Sequence, residues 1–159
     1  MRKQEKGFSL IELLIVVAII LIIAAIAIPN LMRSRIAANE ASAVGSLRTI
    51  NTAEVMFSST YPNHGFATLG HLGPPSSGSI NDTGAGMLDS VLAGGTKTGY
   101  VFSVVTSGAP SGGGAASTYT ANGDPLNSQT GQRHFFTDSS GVIRFNVTGT
   151  ASASNSPLQ

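Results

Sequence analysis

The chain has no cysteine, and only 11% of its 159 residues are charged. The absence of cysteine excludes disulfide bonds, thiol catalysis and cysteine metal sites. The formal net charge is +1 and aromatic residues make up 6% of the chain. Because no basic stripe with interleaved aromatics is present, the sequence does not predict a nucleic-acid site. Any folded domain must therefore be held by side-chain packing and strand pairing.

The chain is rich in apolar residues near its N-terminus. From Phe8 to Ile28 the only charged residue is Glu12. A helix over that segment is about 31 Å long at ~1.5 Å per residue, which is enough to cross a bilayer core. The seven residues before it contain three basic residues and one acid. That bias predicts a cytoplasmic N-terminus, with the rest of the chain exported across the membrane.

Glu12 helps to decide which kind of apolar segment this is, because inserting a carboxylate at membrane depth costs about 2.5–3.5 kcal/mol. A secretory signal would be cut after Ala25-Ile26-Ala27, but its core would exceed the usual ~7–15 apolar residues and would contain a carboxylate. A plain single-span anchor fits the length and leaves Glu12 unexplained. Glu12 therefore indicates a partner that an isolated helix does not supply.

The segment Lys6-Gly7-Phe8-Ser9-Leu10-Ile11-Glu12-Leu13 resembles the leader junction of type IV pilins and of the pseudopilins of type II secretion systems. The resemblance covers roughly residues 1–60. It implies that a prepilin peptidase removes residues 1–7 by cutting between Gly7 and Phe8, and then N-methylates Phe8. It also implies that Glu12 faces the Phe8 amine of its own chain or of a neighbour and sets the register between subunits, since an opposite charge offsets the cost of burying a carboxylate.

Pro29 could end a helix or kink a longer one. Apolar residues recur at helical spacing beyond it, which favours a kink. We therefore predict one bent helix over residues 8–60, with a transmembrane and assembly half at 8–29 and an amphipathic half at 30–60. The stripe expected to pack on a head domain consists of Ile36, Ala43, Leu47, Ile50 and Phe57, while Glu40 is assigned to another face.

Residues 61–147 are predicted to form that head. A loop-rich connector covers 61–99 and includes a short helix near 87–92, because apolar pairs precede Gly94-Gly95 there. Segments rich in β-branched and aromatic residues between 100 and 147 predict three to four antiparallel strands, with a hairpin at Asp138-Ser139-Ser140-Gly141. The tail at 148–159 is predicted to be flexible from its composition. The expected fold class is α+β, with the long helix packed on a small antiparallel sheet, as in pilins.

Other candidate sites are weak in the sequence. His64, His71 and His134 lack the close spacing of a zinc site, and Asp124 and Asp138 are too isolated to predict calcium. Asn146-Val147-Thr148 matches a glycosylation sequon at a strand end. No nucleophile and base form a recognisable constellation. We therefore expect no catalytic residue, metal, cofactor or small-molecule substrate.

The sequence thus predicts a structural filament subunit for adhesion, motility or DNA uptake. Expected partners are identical or homologous pilin subunits, the prepilin peptidase, inner-membrane assembly machinery, and membrane lipid before assembly. The precursor would span the inner membrane once, with a periplasmic head, and would end in an extracellular pilus. Two alternatives stay open: a pseudopilin in a periplasmic pseudopilus, and a monomeric membrane-anchored binding domain.

Overall fold

A computed structural model of the chain describes residues 7–108 and 114–158. The first six leader residues and the glycines 112 and 113 lie outside the described residues. The chain divides into two compact units, of which the first ends at Arg35 and the second begins at Ile36. Helix α1, Leu10–Thr60, contributes residues to both units.

Helix α1 is 51 residues long and contains Pro29. The prediction that Pro29 lies within a longer helix, rather than at its end, therefore agrees with the structure. The observed start is Leu10, two residues later than the sequence predicts. Proline lacks an N–H and removes one helical hydrogen bond, and the helix continues through this position.

In the second unit, α1 supplies one side of the hydrophobic core. Four residues of the predicted stripe are at most 1% exposed: Ala43, Leu47, Ile50 and Phe57. Ile36, at the start of that unit, is only half-buried. The buried face is wider than the stripe, because Val44, Ser46, Ala53 and two glutamates, Glu40 and Glu54, are buried as well.

The connector contains two four-residue helices, α2 at Leu69–Leu72 and α3 at Ser90–Ala93. The sequence predicts a helix in the region of α3 but not α2. Asp89 caps α3, because its carboxylate accepts hydrogen bonds from the N–H groups of Val91 and Leu92 at 3.1 and 3.0 Å. The Leu92 N–H, and then the Lys97 ammonium at 3.1 Å, lower the pKa of Asp89. Gly94 ends the helix.

Five strands form one antiparallel sheet in the order β1-β2-β3-β4-β5, one strand more than predicted. The strands are β1 Thr96–Lys97, β2 Tyr100–Ser107, β3 Thr118–Pro125, β4 His134–Asp138 and β5 Arg144–Asn146. Each strand pairs with the next one along the chain. The two-residue β1 lies in the predicted connector, where a short strand has too few residues to show an alternating pattern. The predicted hairpin joins β4 and β5, with Gly141 at φ +72°.

The sheet buries one face against α1, as strand alternation requires. Tyr100 and Phe102 of β2 are buried, and their neighbours Val101 and Ser103 are exposed. Tyr119 of β3 and Phe135 of β4 belong to the same core. Large aromatic residues each remove a large apolar area from water, which lets a small sheet stabilise the unit without disulfides.

The C-terminal segment differs from the flexible tail that its composition predicts. The Leu158 N–H donates to the Ile143 carbonyl at 2.8 Å, and the Phe145 N–H donates to the Ser156 carbonyl at 3.1 Å. The Asn122 side chain donates to the carbonyl of Ala151, which is 3% exposed. These long-range contacts hold residues 148–158 in place, and a local composition pattern cannot reveal them.

Glu54 is an unusual member of the core, because its side chain is fully buried. One carboxylate oxygen accepts the Ala67 N–H at 3.0 Å, and the other is buried without a partner. Burial raises the pKa of Glu54 to about 7, although the Ala67 N–H acts in the opposite direction. Burial, and secondarily the nearby Glu54 carboxylate, raises the pKa of Tyr119 to about 12.

Glu54 makes the stability of the second unit depend on pH. Its pKa is higher in the folded chain than the ordinary 4.5, so folding takes up a proton between pH 4.5 and about 7. The contribution of Glu54 to stability is therefore fully present below pH 4.5 and is lost as the pH rises to about 7, a change on the order of 3 kcal/mol at 1.4 kcal/mol per pKa unit. Urea unfolding of the full chain in detergent, followed by tyrosine fluorescence, measures this change, since all three tyrosines lie between residues 61 and 119.

The variant Glu54→Gln isolates this effect. It should lose most of the decline between pH 5 and pH 8 and should be more stable than the unmodified chain at pH 8. Asp82→Asn, a partly exposed acid, is the matched control and should keep the decline. An equal decline in Glu54→Gln would show that another group carries the pH dependence.

Deleting residues 156–159 should destabilise the second unit by about 2–4 kcal/mol. The deletion removes two backbone hydrogen bonds, each worth about 1 kcal/mol, and the packing of Leu158 on the core. The urea midpoint of the deletion variant measures the loss, with Ala153→Ser, at an exposed position of the same segment, as the control. An unchanged midpoint would mean that the segment contributes no stability.

Candidate functional site

The predicted processing site lies just before α1. Gly7, Phe8 and Ser9 are outside the helix, which begins at Leu10. Phe8 is 77% exposed. The peptide bond between Gly7 and Phe8 is therefore not engaged in helical hydrogen bonding, and a peptidase can reach a non-helical bond without first unwinding a helix.

Glu12 has a partner at the helix start. Its carboxylate accepts the Ser9 backbone N–H at 2.9 Å, and the Ser9 carbonyl accepts the Leu13 N–H at 3.2 Å. Ser9 is thus the N-cap and Glu12 the third helical residue, which is half of a capping box. A carboxylate in the first turn is also stabilised by the helix dipole. Glu12 therefore holds the residues beside the predicted cleavage site in a defined conformation while Phe8 has no free amine.

The apolar surface of α1 is the second element of the site. The side chains of Phe8 and of every leucine, isoleucine and valine from Leu10 to Ile28 are between 46% and 80% exposed. A soluble monomer does not leave such a large continuous apolar surface in water. The segment therefore needs a covering of lipid or of other protein helices, and the helix is long and apolar enough to cross a membrane.

The second unit has an open cleft of about 620 Å³ beside Glu40 and Arg133. Both oxygens of the Glu40 carboxylate are engaged: one by the N–H groups of Gln132 and Arg133, the other by Arg133 Nε at 2.7 Å. The Arg133 guanidinium also lies 5.6–5.7 Å from the ring centroids of Phe135 and Phe145. The buried Glu40 carboxylate therefore ties the two residues that directly precede β4 to α1.

Two of the three histidines of the second unit, His64 and His134, form separate pairs with acids, and His71 is in neither pair. His64 Nε2 lies 3.3 Å from Asp82, and His134 Nδ1 lies 2.6 Å from Asp124. Among residues 7–108 and 114–158, no three histidine or acidic side chains lie close enough together to hold a metal ion. Asp138, the other isolated acid, accepts the Ser140 N–H in the β4–β5 turn. These contacts serve local structure.

The sequence reasoning missed three features of the site. Ser9 and Glu12 carry the S-x-x-E spacing of a capping box before an apolar run, which could have been found. Glu40 lies three residues before Ala43, and Glu54 three before Phe57, which are helical spacings to the core stripe. That spacing places them on the buried face, but only the tertiary structure shows the partners that make a buried carboxylate tolerable.

The predicted site residues fall into two groups in the structure. Gly7, Phe8 and Glu12 lie at the start of α1, and Pro29 lies within it. The stripe residues Ala43, Leu47, Ile50 and Phe57 belong to the core of the second unit. Cleavage, methylation and register setting require groups outside this single chain and stay predictions.

Comparison with known proteins supports the interpretation of the N-terminus. Residues 2–28 match the family model of the prokaryotic N-terminal methylation motif. The chain is 46% identical over 54 residues, 34% of its length, to the type IV major pilin protein PilA of Myxococcus xanthus, and covers 24% of that protein. It is 60% identical over 38 residues, 24% of its length, to the type IV wide pilus major component PilA4 of Thermus thermophilus, and covers 29% of it.

The aligned parts amount to about a quarter of each of these relatives. No solved structure matches the chain. The match to the methylation motif and the two relatives agree with the exposed apolar helix and with the non-helical bond before Phe8. The chain is therefore similar to type IV pilins over a short part of its length, and its residues 2–28 carry the prokaryotic N-terminal methylation motif.

Proposed function

We propose that this chain is the structural subunit of a type IV pilus-like filament. The observation that carries the proposal is the exposed apolar surface of α1, which contains one carboxylate and lies within the match to the methylation motif. A membrane anchor needs the apolar surface, but it does not need a carboxylate at its edge. A filament needs both the apolar surface and the carboxylate. Neighbouring subunits must cover the apolar surface, and they must also pack with one defined axial offset.

The proposed sequence of events begins with insertion of the precursor, with its N-terminus in the cytoplasm and its head on the far side. A prepilin peptidase then removes residues 1–7 and methylates the new amine of Phe8. Cleavage removes a net +2 from the leader and creates a positive amine near Glu12. The capping contact between Glu12 and Ser9 has only modest strength, so a charged amine can replace it.

Assembly then transfers α1 from lipid to neighbouring subunits. Every exposed leucine, isoleucine and valine of residues 10–28 offers apolar area for close helix packing. A Glu12 carboxylate that faced no positive charge among those helices would be costly to bury. The pairing of Glu12 with the Phe8 amine of its own or a neighbouring subunit therefore favours one register over all others.

The pilus interpretation is favoured over the pseudopilin interpretation, because both relatives are named as major components of type IV pili. Adhesion, motility and DNA uptake are the roles proposed for the filament. Between Phe8 and Phe57 the sequence has no aromatic residue. Stacked aromatic rings in the centre of the filament therefore do not form part of the proposal.

The first test is the intact mass and N-terminus of protein sheared from cell surfaces. The expected product begins at N-methylated Phe8. A product that begins at Ile28 would indicate a secretory signal, and an uncleaved chain confined to membranes would indicate a simple anchor. Either result would overturn the proposed function.

The second test is Glu12→Ala, which should lower the yield of sheared filament by about tenfold or more, since an unpaired buried amine costs several kcal/mol. Head folding, measured by tyrosine fluorescence, should be unchanged because Glu12 lies outside the second unit. Glu5→Gln is the matched control, since residue 5 leaves with the leader and filament yield should stay normal. Normal assembly of Glu12→Ala subunits would contradict the register role.

A further inference from the structure

Among the described residues, Arg33 and Arg35 have no acidic partner. Both are exposed, and neither takes part in the ion pairs of the described residues. The helix positions three and four residues away hold no acid on either side of these arginines. Those are the positions at which helical ion pairs form. The nearest acid in the sequence, Glu40, is already bound to Arg133.

These arginines are the only charged side chains besides Glu12 between Phe8 and Arg35. They follow the apolar run by five and seven residues, which is about 7.5 and 10.5 Å along a helix axis at ~1.5 Å per residue. The headgroup layer of each leaflet is about 5–7 Å thick beyond the hydrocarbon core. A helix that fills the core with residues 8–28 therefore places both arginines at or just above the headgroups.

The side-chain geometry of a helix directs these arginines back toward the bilayer. Cα–Cβ bonds in a helix tilt toward its N-terminus, which for α1 is the membrane end. Long arginine side chains can lie along apolar surface and keep the guanidinium at the polar layer. Two residues of separation place Arg33 and Arg35 about 200° apart around the axis, so they reach headgroups on opposite sides of the helix.

We propose that Arg33 and Arg35 form a collar that binds phospholipid phosphate groups on the far leaflet and sets the depth of α1 in the membrane before assembly. The planar guanidinium binds phosphate oxygens through two parallel hydrogen bonds. The collar rests on the proposed function in one respect, namely that α1 spans a membrane. The two ends of the segment then have different roles. Glu12 sets the register between subunits, and the two arginines set the depth of α1 in the lipid.

Leader removal gives the collar a particular importance. The precursor has basic residues at both ends of the apolar segment, three in the leader and two in the collar. After cleavage the Phe8 amine and Glu12 compensate each other, and the arginines carry the remaining charge of residues 8–35. The mature subunit is then held at its depth from the far side, which is the side toward which a filament grows away from the membrane.

The test measures contact between arginine and lipid phosphorus directly. The full-length precursor is labelled with ¹³C at the arginine Cζ atoms and carries Arg2→Lys in every sample, so that the leader contributes no arginine signal. It is reconstituted in vesicles of phosphatidylcholine with 30 mol% phosphatidylglycerol, a composition chosen to supply anionic headgroups. The buffer contains no phosphate, so that all phosphorus belongs to lipid. Solid-state ¹³C–³¹P dephasing should be strong, and Arg33→Gln/Arg35→Gln should lose most of it. Arg48→Gln, which removes another exposed arginine of α1, should keep it.

A second measurement reads the depth of the helix. Because the chain has no cysteine, Ser34→Cys gives a single site for a membrane-impermeant maleimide. Its labelling rate in phospholipid vesicles should change when Arg33 and Arg35 become glutamine, and should not change with Arg48→Gln. In vesicles of a phosphate-free galactolipid the same double substitution should have little effect, and added inorganic phosphate should not restore the difference.

Two outcomes would overturn the collar. Equal dephasing in the unmodified chain and in the double variant would show that neither arginine contacts lipid phosphate. Loss of filament yield in that variant, without any difference in dephasing or depth, would assign the arginines to a carboxylate on a neighbouring subunit. Both results leave the proposed filament function intact, because the vesicle measurements need neither cleavage nor assembly.

Discussion

The packing of α1 against the aromatic face of the sheet is the interaction on which the second unit depends. Leu47, Ile50 and Phe57 are at most 1% exposed, and the sheet contributes Tyr100 and Phe135 to the same core. Because the chain has no cysteine, this contact holds the second unit together without a disulfide bond. The C-terminal segment adds to it, because its backbone pairs with residues 143 and 145 and Leu158 packs on the core.

Charge is sparse in this chain, and most charged groups are committed to local structure. Glu40 binds Arg133, Asp89 caps α3, and Glu12 caps α1. Placing a charged group costs little free energy in an exposed helix cap and more in a hydrophobic core. Glu54 is in the core, and one of its carboxylate oxygens has no hydrogen-bond partner. A few charged side chains make no such contact. Among the described residues these are Arg33, Arg35 and Arg48, and we assign the two that directly follow the apolar run, Arg33 and Arg35, to lipid phosphate.

The elements were predictable to different degrees, for physical reasons. The long helix, the principal strands and the β4–β5 hairpin follow from local periodicity and turn chemistry, which the sequence displays directly. Helix α2 and the ordered C-terminal segment depend on hydrogen bonds to residues further along or back in the chain. Strand β1 pairs locally with β2, but its two residues are too few to show an alternating pattern. The sequence places Glu40 on another face than the core stripe, because a charged residue is rarely buried unless it is paired. Its partner, Arg133, lies 93 residues further along the chain.

The sequence by itself determined the features of the N-terminal segment. These features are contiguous in the chain: the leader, the Gly7–Phe8 junction, Glu12 and the apolar run. Their chemistry can therefore be predicted without knowledge of the fold. The tertiary structure decided the rest: which glutamates are buried, what holds Arg133, and where the C-terminal segment runs. Those features depend on contacts between distant segments, and a burial or a hydrogen bond of that kind exists only once the chain has folded.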